Sequence, residues 1–185
     1  MRNRSDRCNK RYCIVFIVII LLFSNYGYTQ KIWIDDNGEY GARFPNEPKK
    51  INATTTAIKA YGYQCIKQYS NGGALFGFIV TISPEKITDA NTKIFLEESN
   101  ASFIKSLGQD PKNGKTKWGK FGDGRPKLTY ELSFTNDDIP FRGIGYWIIY
   151  KGRAIRVSVS YMNTLSKKDI NQAKEFLETF TILRK

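Results

Sequence analysis

Hydrophobic and polar residues alternate along most of the chain after about residue 30, and this pattern is typical of β-strands. The clearest case is residues 153–162, in which Val157 and Val159 point to one side and Arg156 to the other. A period of two indicates a sheet with one face more deeply buried than the other. Similar patterns predict further strands at 31–35, 39–44, 52–69, 74–83, 112–120, 126–135 and 141–150.

Two segments have the periodicity of a helix instead. In residues 90–107, Leu96, Phe103 and Leu107 share one helical face with Ile104, and Gly108 provides a stop. The second segment begins at a capping box formed by Ser166 and Asp169. Leu165 and Ile170 flank this box as a hydrophobic staple, and the apolar stripe that follows predicts a helix lying on a sheet. The stripe consists of Ile170, Ala173, Leu177 and Phe180.

The order of these elements predicts the fold class. Several strands precede the first helix, more strands precede the second, and residues 181–183 form a short closing strand. Such an order favours an α+β fold in which helices flank a single antiparallel β-sheet. Residues 30–185 are long enough for one domain with its own core.

The N-terminal residues have the layout of a secretory signal peptide. Five basic residues lie within residues 2–11, and an apolar run of 11 residues follows from Cys13 to Phe23. A bilayer span needs about 20 apolar residues, so the run is short for an anchor. Small residues near its exit place the predicted cleavage between Thr29 and Gln30. Residues 13–28 as an uncleaved membrane anchor are the alternative.

The net charge, the absence of histidine and the small number of cysteines exclude several classes of function. Residues 30–185 carry 24 basic and 16 acidic side chains, a net charge of +8, which suits solubility or an acidic partner. The chain contains no histidine, which excludes catalysis by Ser-His-Asp or Cys-His groups and zinc sites built on histidine. Beyond residue 29 only Cys65 remains, so no internal disulfide is expected.

A basic segment at 112–127 is the best candidate for ligand binding. Its lysines and arginine are interleaved with aromatic residues, as in proteins that bind single-stranded nucleic acid or sugar polymers. If its strand alternates, Lys115 and Lys117 share one face with Phe121. The alternative is an edge strand whose lysines discourage pairing with other chains. The candidate ligand-binding residues are Lys115, Lys117, Trp118, Lys120 and Arg125.

Two other kinds of site stay open as hypotheses. A carboxylate-based hydrolase would need two acids from distant segments to meet across a cleft. The candidates for that role are Asp89, Glu131, Asp137 and Asp138. Aromatic residues could line a recognition groove, although packing within the sheet is the simpler interpretation. These aromatics are Trp33, Tyr61, Tyr63, Tyr69, Trp147 and Tyr150.

Short motifs over residues 30–185 resemble the PsbP-like and Mog-like α-β-α sandwich proteins, in particular small exported bacterial members with no assigned role. The motifs are Y-x-A-R-F-P-x-x-P at 40–48, the Tyr61/Tyr63 strand before an Asn-Gly-Gly turn, and Leu107-Gly108 ending the first helix. A-x-x-F-L-x-T-F-x-I at 173–182 completes them. The resemblance implies a core Phe44 followed by a proline-stiffened loop, and it supplies no catalytic motif.

Together these observations predict an exported, non-enzymatic domain that binds or assists another cell-envelope component. We expect it to be secreted or periplasmic and to need no cofactor or metal. We expect it to contact a membrane only if residues 13–28 stay uncleaved as an anchor. Export argues against a nucleic-acid partner. Binding of an anionic polymer or glycan through 112–127, and a carboxylate-based hydrolase, are the alternatives.

Overall fold

The computed structural model of the chain describes residues 31–52, 59–83 and 87–183. The predicted signal peptide, residues 1–29, lies outside them. The described residues form ten strands, two α-helices and one short 3-10 turn at Pro111–Asn113. The helices are α1 (Thr92–Ser106) and α2 (Lys167–Thr179). The strands are β1 (Trp33–Ile34), β2 (Tyr40–Ala42), β3 (Lys49–Asn52), β4 (Lys59–Tyr69), β5 (Gly72–Ile82), β6 (Lys115–Lys120), β7 (Pro126–Asn136), β8 (Ile139–Tyr150), β9 (Arg153–Met162) and β10 (Thr181–Ile182).

The strands form two antiparallel sheets within the described residues. The larger sheet has seven strands in the order β3-β4-β5-β9-β8-β7-β6, so β3 and β6 are its edges. The smaller sheet has three strands in the order β1-β2-β10. Hairpins connect β4 with β5, β6 with β7, β7 with β8, and β8 with β9. The protein is therefore dominated by antiparallel sheet, and the predicted α+β composition is correct at this level.

Each face of the larger sheet carries one helix, as neighbouring residues of β8 show. The hydroxyl of Tyr146 donates a hydrogen bond to the carbonyl of Leu177 in α2, at 3.1 Å. The next residue, Trp147, turns to the other face and donates from Nε1 to Asn100 in α1, at 3.2 Å. Two separate apolar clusters result, the larger one beneath α2 and the smaller one beneath α1.

The prediction of a single sheet is wrong. Thr181 pairs with Gly41, so the end of the chain adds a strand to β2 instead of to the larger sheet. Trp33 pairs with Ala42 on the other side of β2. Because β2 is completely buried, its backbone groups need partners on both sides, and these two short strands supply them. Periodicity along the sequence indicates strands but not which strands pair.

The prediction of one continuous strand over residues 52–69 is also wrong, although residues 59–69 do form a strand. The structure has β3 and β4 here, and they pair antiparallel, with Ile51 opposite Gly62. The chain therefore reverses between them, and residues 53–58 of the predicted strand lie outside the described residues. β-Branched residues favour strands, so the composition of this stretch gives no sign of the reversal.

The Phe44-Pro45-Asn46-Glu47-Pro48 motif has a structural role, as predicted. Phe44 is buried and contacts Phe176 of α2, with ring centroids 5.0 Å apart. Asn46 donates from Nδ2 to the carbonyl of Ile66 at 2.7 Å, which fixes the loop to β4. Prolines cannot donate to a ladder, so the motif ends one sheet and starts a strand of the other.

Both helices form close to where the sequence predicts them. The Ser166 hydroxyl accepts a hydrogen bond from the backbone N–H of Asp169 at 3.2 Å, which confirms Ser166 as the N-cap, and it donates to the Asp169 carboxylate at 2.6 Å. Ala173 and Phe176 are buried residues of α2, and Leu96 and Ile104 are buried residues of α1. Neither of these described helices combines the length and the apolar character that a bilayer span requires.

Candidate functional site

An open groove of about 1100 Å³ lies on the face of the larger sheet that carries α2. It is larger than the cavities of 280 and 320 Å³ beside Tyr61. Strands β6, β7 and β8 form one side, and the end of α2 with β10 forms the other. The groove stays open because α2 packs mainly against β9 and leaves this face of β6 and β7 uncovered. We call it the lysine groove, after the lysines that line it: Lys115, Lys117, Lys127 and Lys174.

The floor of the lysine groove is apolar and firmly held. The Phe121 ring lies 5.9 Å from Tyr146 and 6.4 Å from Phe180, measured between centroids. Burial raises the pKa of Tyr146, so its hydroxyl stays protonated and donates to Leu177. That bond joins β8 to the end of α2. Phe121 and Leu177 are half-buried, so the floor offers apolar contact to a ligand.

The four lysines form no ion pair with any described residue. Lys115 lies directly opposite Glu131 in the β6–β7 register, whereas Lys117 lies opposite the uncharged Thr129. The ammonium of Lys127 is 5.4 Å from the centroid of the Tyr146 ring, over which a cation is attracted. Lysines without an ion-pair partner attract anions most strongly at low salt.

Three acidic residues line the groove, and two of them lie within ion-pair distance of an arginine. Arg125 forms an ion pair with Asp123, and this hydrogen bonding lowers the pKa of the Asp123 carboxyl. Glu131 lies 3.6 Å from Arg142, measured between Oε1 and Nη1. The third acid is Glu178 of α2. Lysine charge therefore dominates the surface that a ligand would meet.

Arg125 lines the groove, but its guanidinium is already engaged. Besides Asp123, it donates from Nη1 to the carbonyl of Ile149 at 2.7 Å. It also stacks over the ring of Tyr150, with 4.8 Å from Cζ to the centroid. These contacts close the loop between β6 and β7. The geometry assigns Arg125 to the loop's structure more than to a ligand.

The structure divides the predicted ligand-binding residues between two faces. Lys115, Lys117 and Arg125 line the groove, whereas Trp118 and Lys120 do not. Trp118 is half-buried on the α1 side, where its Nε1 donates to Glu97 at 3.2 Å. Alternation along β6 predicts this division.

Sequence reasoning missed the rest of the groove. Lys127 belongs to the basic segment 112–127, whereas Leu177 and Phe180 belong to the apolar stripe of the predicted second helix, in which Lys174 also lies. Their shared location depends on how α2 packs on the sheet. The charge of Lys174 beside the apolar stripe of α2 was the only local signal.

The four acids considered for a hydrolase do not converge on the groove. Only Glu131 lines it. Asp137 and Asp138 form the tight turn between β7 and β8, with φ angles of 49° and 63°. Asp89 precedes α1 in the chain. Turn geometry, which aspartate tolerates well, accounts for the pair at 137 and 138.

The aromatic residues considered for a recognition groove serve mainly in packing. Trp33 and Tyr63 are in contact within the larger apolar cluster, with centroids 4.1 Å apart. Trp147 is buried beneath α1. Tyr150 does line the lysine groove, although Arg125 covers its ring. The simpler interpretation, packing within the sheet, fits these positions.

Two further kinds of chemistry, at the Cys65 thiol and at a metal ion, can be checked among the described residues. The thiol of Cys65 is buried, and burial raises its pKa, which disfavours the nucleophilic thiolate. Among residues 31–52, 59–83 and 87–183, no three acids or cysteines cluster in a way that could hold a metal ion.

Comparison with known proteins supports the fold. No protein-family model and no curated protein matches the sequence. Among solved structures, the solution structure of cyanobacterial PsbP (CyanoP) from Synechocystis sp. PCC 6803 matches with a TM-score of 0.56 at 10% identity. The match covers 85% of this chain and 95% of that chain. The chain therefore has a PsbP-like fold, which confirms the resemblance seen in its sequence motifs.

Proposed function

We propose that this chain is a non-catalytic binding domain that acts outside the cytosol, and that its lysine groove binds an acidic partner from the cell envelope. The observation that carries the proposal is the set of four lysines, without ion pairs among the described residues, around an apolar floor. Hydrophobic contact would give affinity, and the lysines would select negative charge. The PsbP-like fold is compatible with this proposal but does not by itself imply it.

The acids in the groove favour binding over hydrolysis. Arg125 favours the charged form of Asp123, so this carboxyl is poorly suited to donate a proton. Glu131 is exposed and has Arg142 and Lys115 as cationic neighbours. A glycosidase-type mechanism needs one acid that stays protonated near neutral pH, and such an acid is favoured by an apolar environment.

Reversing the charge of the groove lysines should weaken binding to polyanions. We expect the double variant Lys115→Glu and Lys117→Glu to elute from heparin at lower salt. The slope of log affinity against log salt should fall by about two, since two cationic contacts are lost. Retention of the wild-type chain and the variant on heparin, measured at several salt concentrations, checks this.

The matched control is the double variant Lys167→Glu and Lys168→Glu. It changes the net charge equally, but these exposed lysines lie in the first turn of α2, outside the groove. Acids are favourable at a helix N-terminus, so the control should fold normally. Equal loss of retention in both variants would show that overall charge, and not the groove, binds the polyanion.

Export is proposed from residues 1–29 and can be tested directly. We expect the mature protein to begin at Gln30, because small residues precede that position after the short apolar run. Mass spectrometry of the chain purified from cells through a tag after Lys185 gives its N-terminus. An intact N-terminus in a membrane fraction would support the alternative, an anchor at residues 13–28.

A further inference from the structure

The wall of the lysine groove is an edge of the larger sheet. β6 is the last strand of that sheet, and no described strand pairs with its outer side. In an antiparallel ladder, alternate residues of an edge strand direct their N–H and C=O groups outward. An extended chain could pair with these groups.

The side chains of β6 favour a particular kind of added strand. Lys115 and Lys117 are two residues apart on the groove side, about 7 Å along the strand. An added strand has the same two-residue repeat, and directly opposed side chains lie about 5 Å apart. Acids at alternate positions of that strand would therefore each face a lysine. An acid opposite Lys117 should contribute more than one opposite Lys115, because the neighbour of Lys117 on β7 is the uncharged Thr129 and not an acid.

The opposite side of β6 suits the intervening residues. Trp118 points away from the groove and is only half-buried between the sheet and α1. In an added strand, the residues between the acids would lie on this side, where an apolar or β-branched side chain could contact the indole ring. An acid-apolar alternation therefore matches both faces of β6.

We propose that β6 binds an extended acidic polypeptide segment, which adds to the larger sheet as a further strand with its acidic side chains against Lys115 and Lys117. The inference rests on the proposed function and names its partner class. Strand addition is an established mode of peptide recognition, in which backbone bonds give affinity and side chains give specificity.

The protective role of edge lysines is consistent with this proposal. An apolar or basic strand at β6 would desolvate the lysines without compensating their charge. An acidic strand compensates that charge with opposed carboxylates. The same lysines would thus disfavour most strands and favour an acidic one. Specificity commonly combines attraction to one partner with repulsion of others in this way.

The test uses peptides of about eight residues, long enough to span β6. One alternates glutamate and valine, and a second has the same composition with its glutamates in one block. A third is the alternating peptide with N-methyl groups on every second residue, made in both registers so that one blocks pairing. Fluorescence anisotropy with the full chain at low salt measures their affinities.

We expect the alternating peptide to bind about tenfold more tightly than the block peptide and the pairing-blocked peptide. Lys115→Glu with Lys117→Glu should abolish this preference, whereas Lys167→Glu with Lys168→Glu should keep it. N-methylation changes only the ligand, so failure of the protein to fold cannot imitate the result.

Other outcomes separate this inference from the proposed function. If all the peptides bind equally and all lose affinity in the groove variant, strand addition is wrong but the groove still binds acidic ligands. If no peptide binds while heparin retention still depends on the groove lysines, the peptide partner is wrong. If neither peptide nor heparin binding depends on those lysines, the proposed function fails as well.

Discussion

Replacement of Gly145 by alanine is expected to lower the free energy of unfolding by about 3 kcal/mol, the upper end of the usual cost of overpacking. Gly145 lies in β8 behind the lysine groove. A Cβ atom there would overlap the carbonyl oxygen of Val157 and lie 2.8 Å from the Tyr130 hydroxyl. The Val157 carbonyl belongs to the neighbouring strand, so relieving the overlap would disturb the β8–β9 ladder.

Gly119→Ala provides the matched control for this prediction. Gly119 also lies within a strand, but the nearest heavy atom to an added Cβ there is Lys127 Cε at 4.0 Å. We expect its stability to change by less than about 0.5 kcal/mol. Urea unfolding of both variants and the wild-type chain gives the comparison. Equal midpoints for the two variants would contradict the close approach of β8 to Val157 and Tyr130.

Local features of the structure follow from the sequence because short-range chemistry determines them. The alternation in β9 predicts its buried face, and Val157 and Val159 are fully buried. The capping box at Ser166 predicts where α2 begins. In each case the relevant interactions lie within a few residues of one another, so their spacing in the sequence carries the information.

Pairing between strands that are distant in the chain cannot be predicted from spacing within a short segment. The contact of β10 with β2 joins Thr181 to Gly41, and neither segment has a pattern that identifies the other as its partner. Apolar short strands suit either sheet equally well. The second sheet arises because buried β2 needs hydrogen bonds on both sides, a requirement that appears only once the tertiary fold is known.

The lysine groove illustrates the same limit. Alternation along β6 correctly separates Lys115 and Lys117 from Trp118. The other side of the groove comes from the end of α2, including Lys174 and Phe180, and α2 reaches that position by packing on β9 and β5. Spacing within one segment predicts which side chains share a face, but the site itself depends on packing between segments.

Truncation of Phe78 should have the largest effect on stability, because this residue joins the two sheets. Phe78→Ala is expected to lower the free energy of unfolding by about 3–5 kcal/mol, the usual cost of removing a buried phenylalanine ring. Phe78 is fully buried in β5. Its ring contacts aromatic residues of the smaller sheet, of the loop after β2, of β4 and of the chain after α2. They are Trp33, Tyr40, Phe44, Tyr63 and Phe180, with centroids 5.2 to 6.2 Å away.

Leu75→Ala is the control, because Leu75 lies on the opposite face of the same strand and is 38% exposed. We expect it to cost about 1 kcal/mol or less, since little apolar surface is lost from the core. Chemical denaturation measures both variants.

Phe180 contacts Phe78 and also lines the lysine groove, so Phe78→Ala should weaken heparin binding although it leaves every groove lysine in place. If Phe78→Ala cost no more than Leu75→Ala, the two sheets would not be joined through this ring. Retained heparin affinity in a destabilised Phe78→Ala chain would mean that the groove does not depend on the packing behind Phe180.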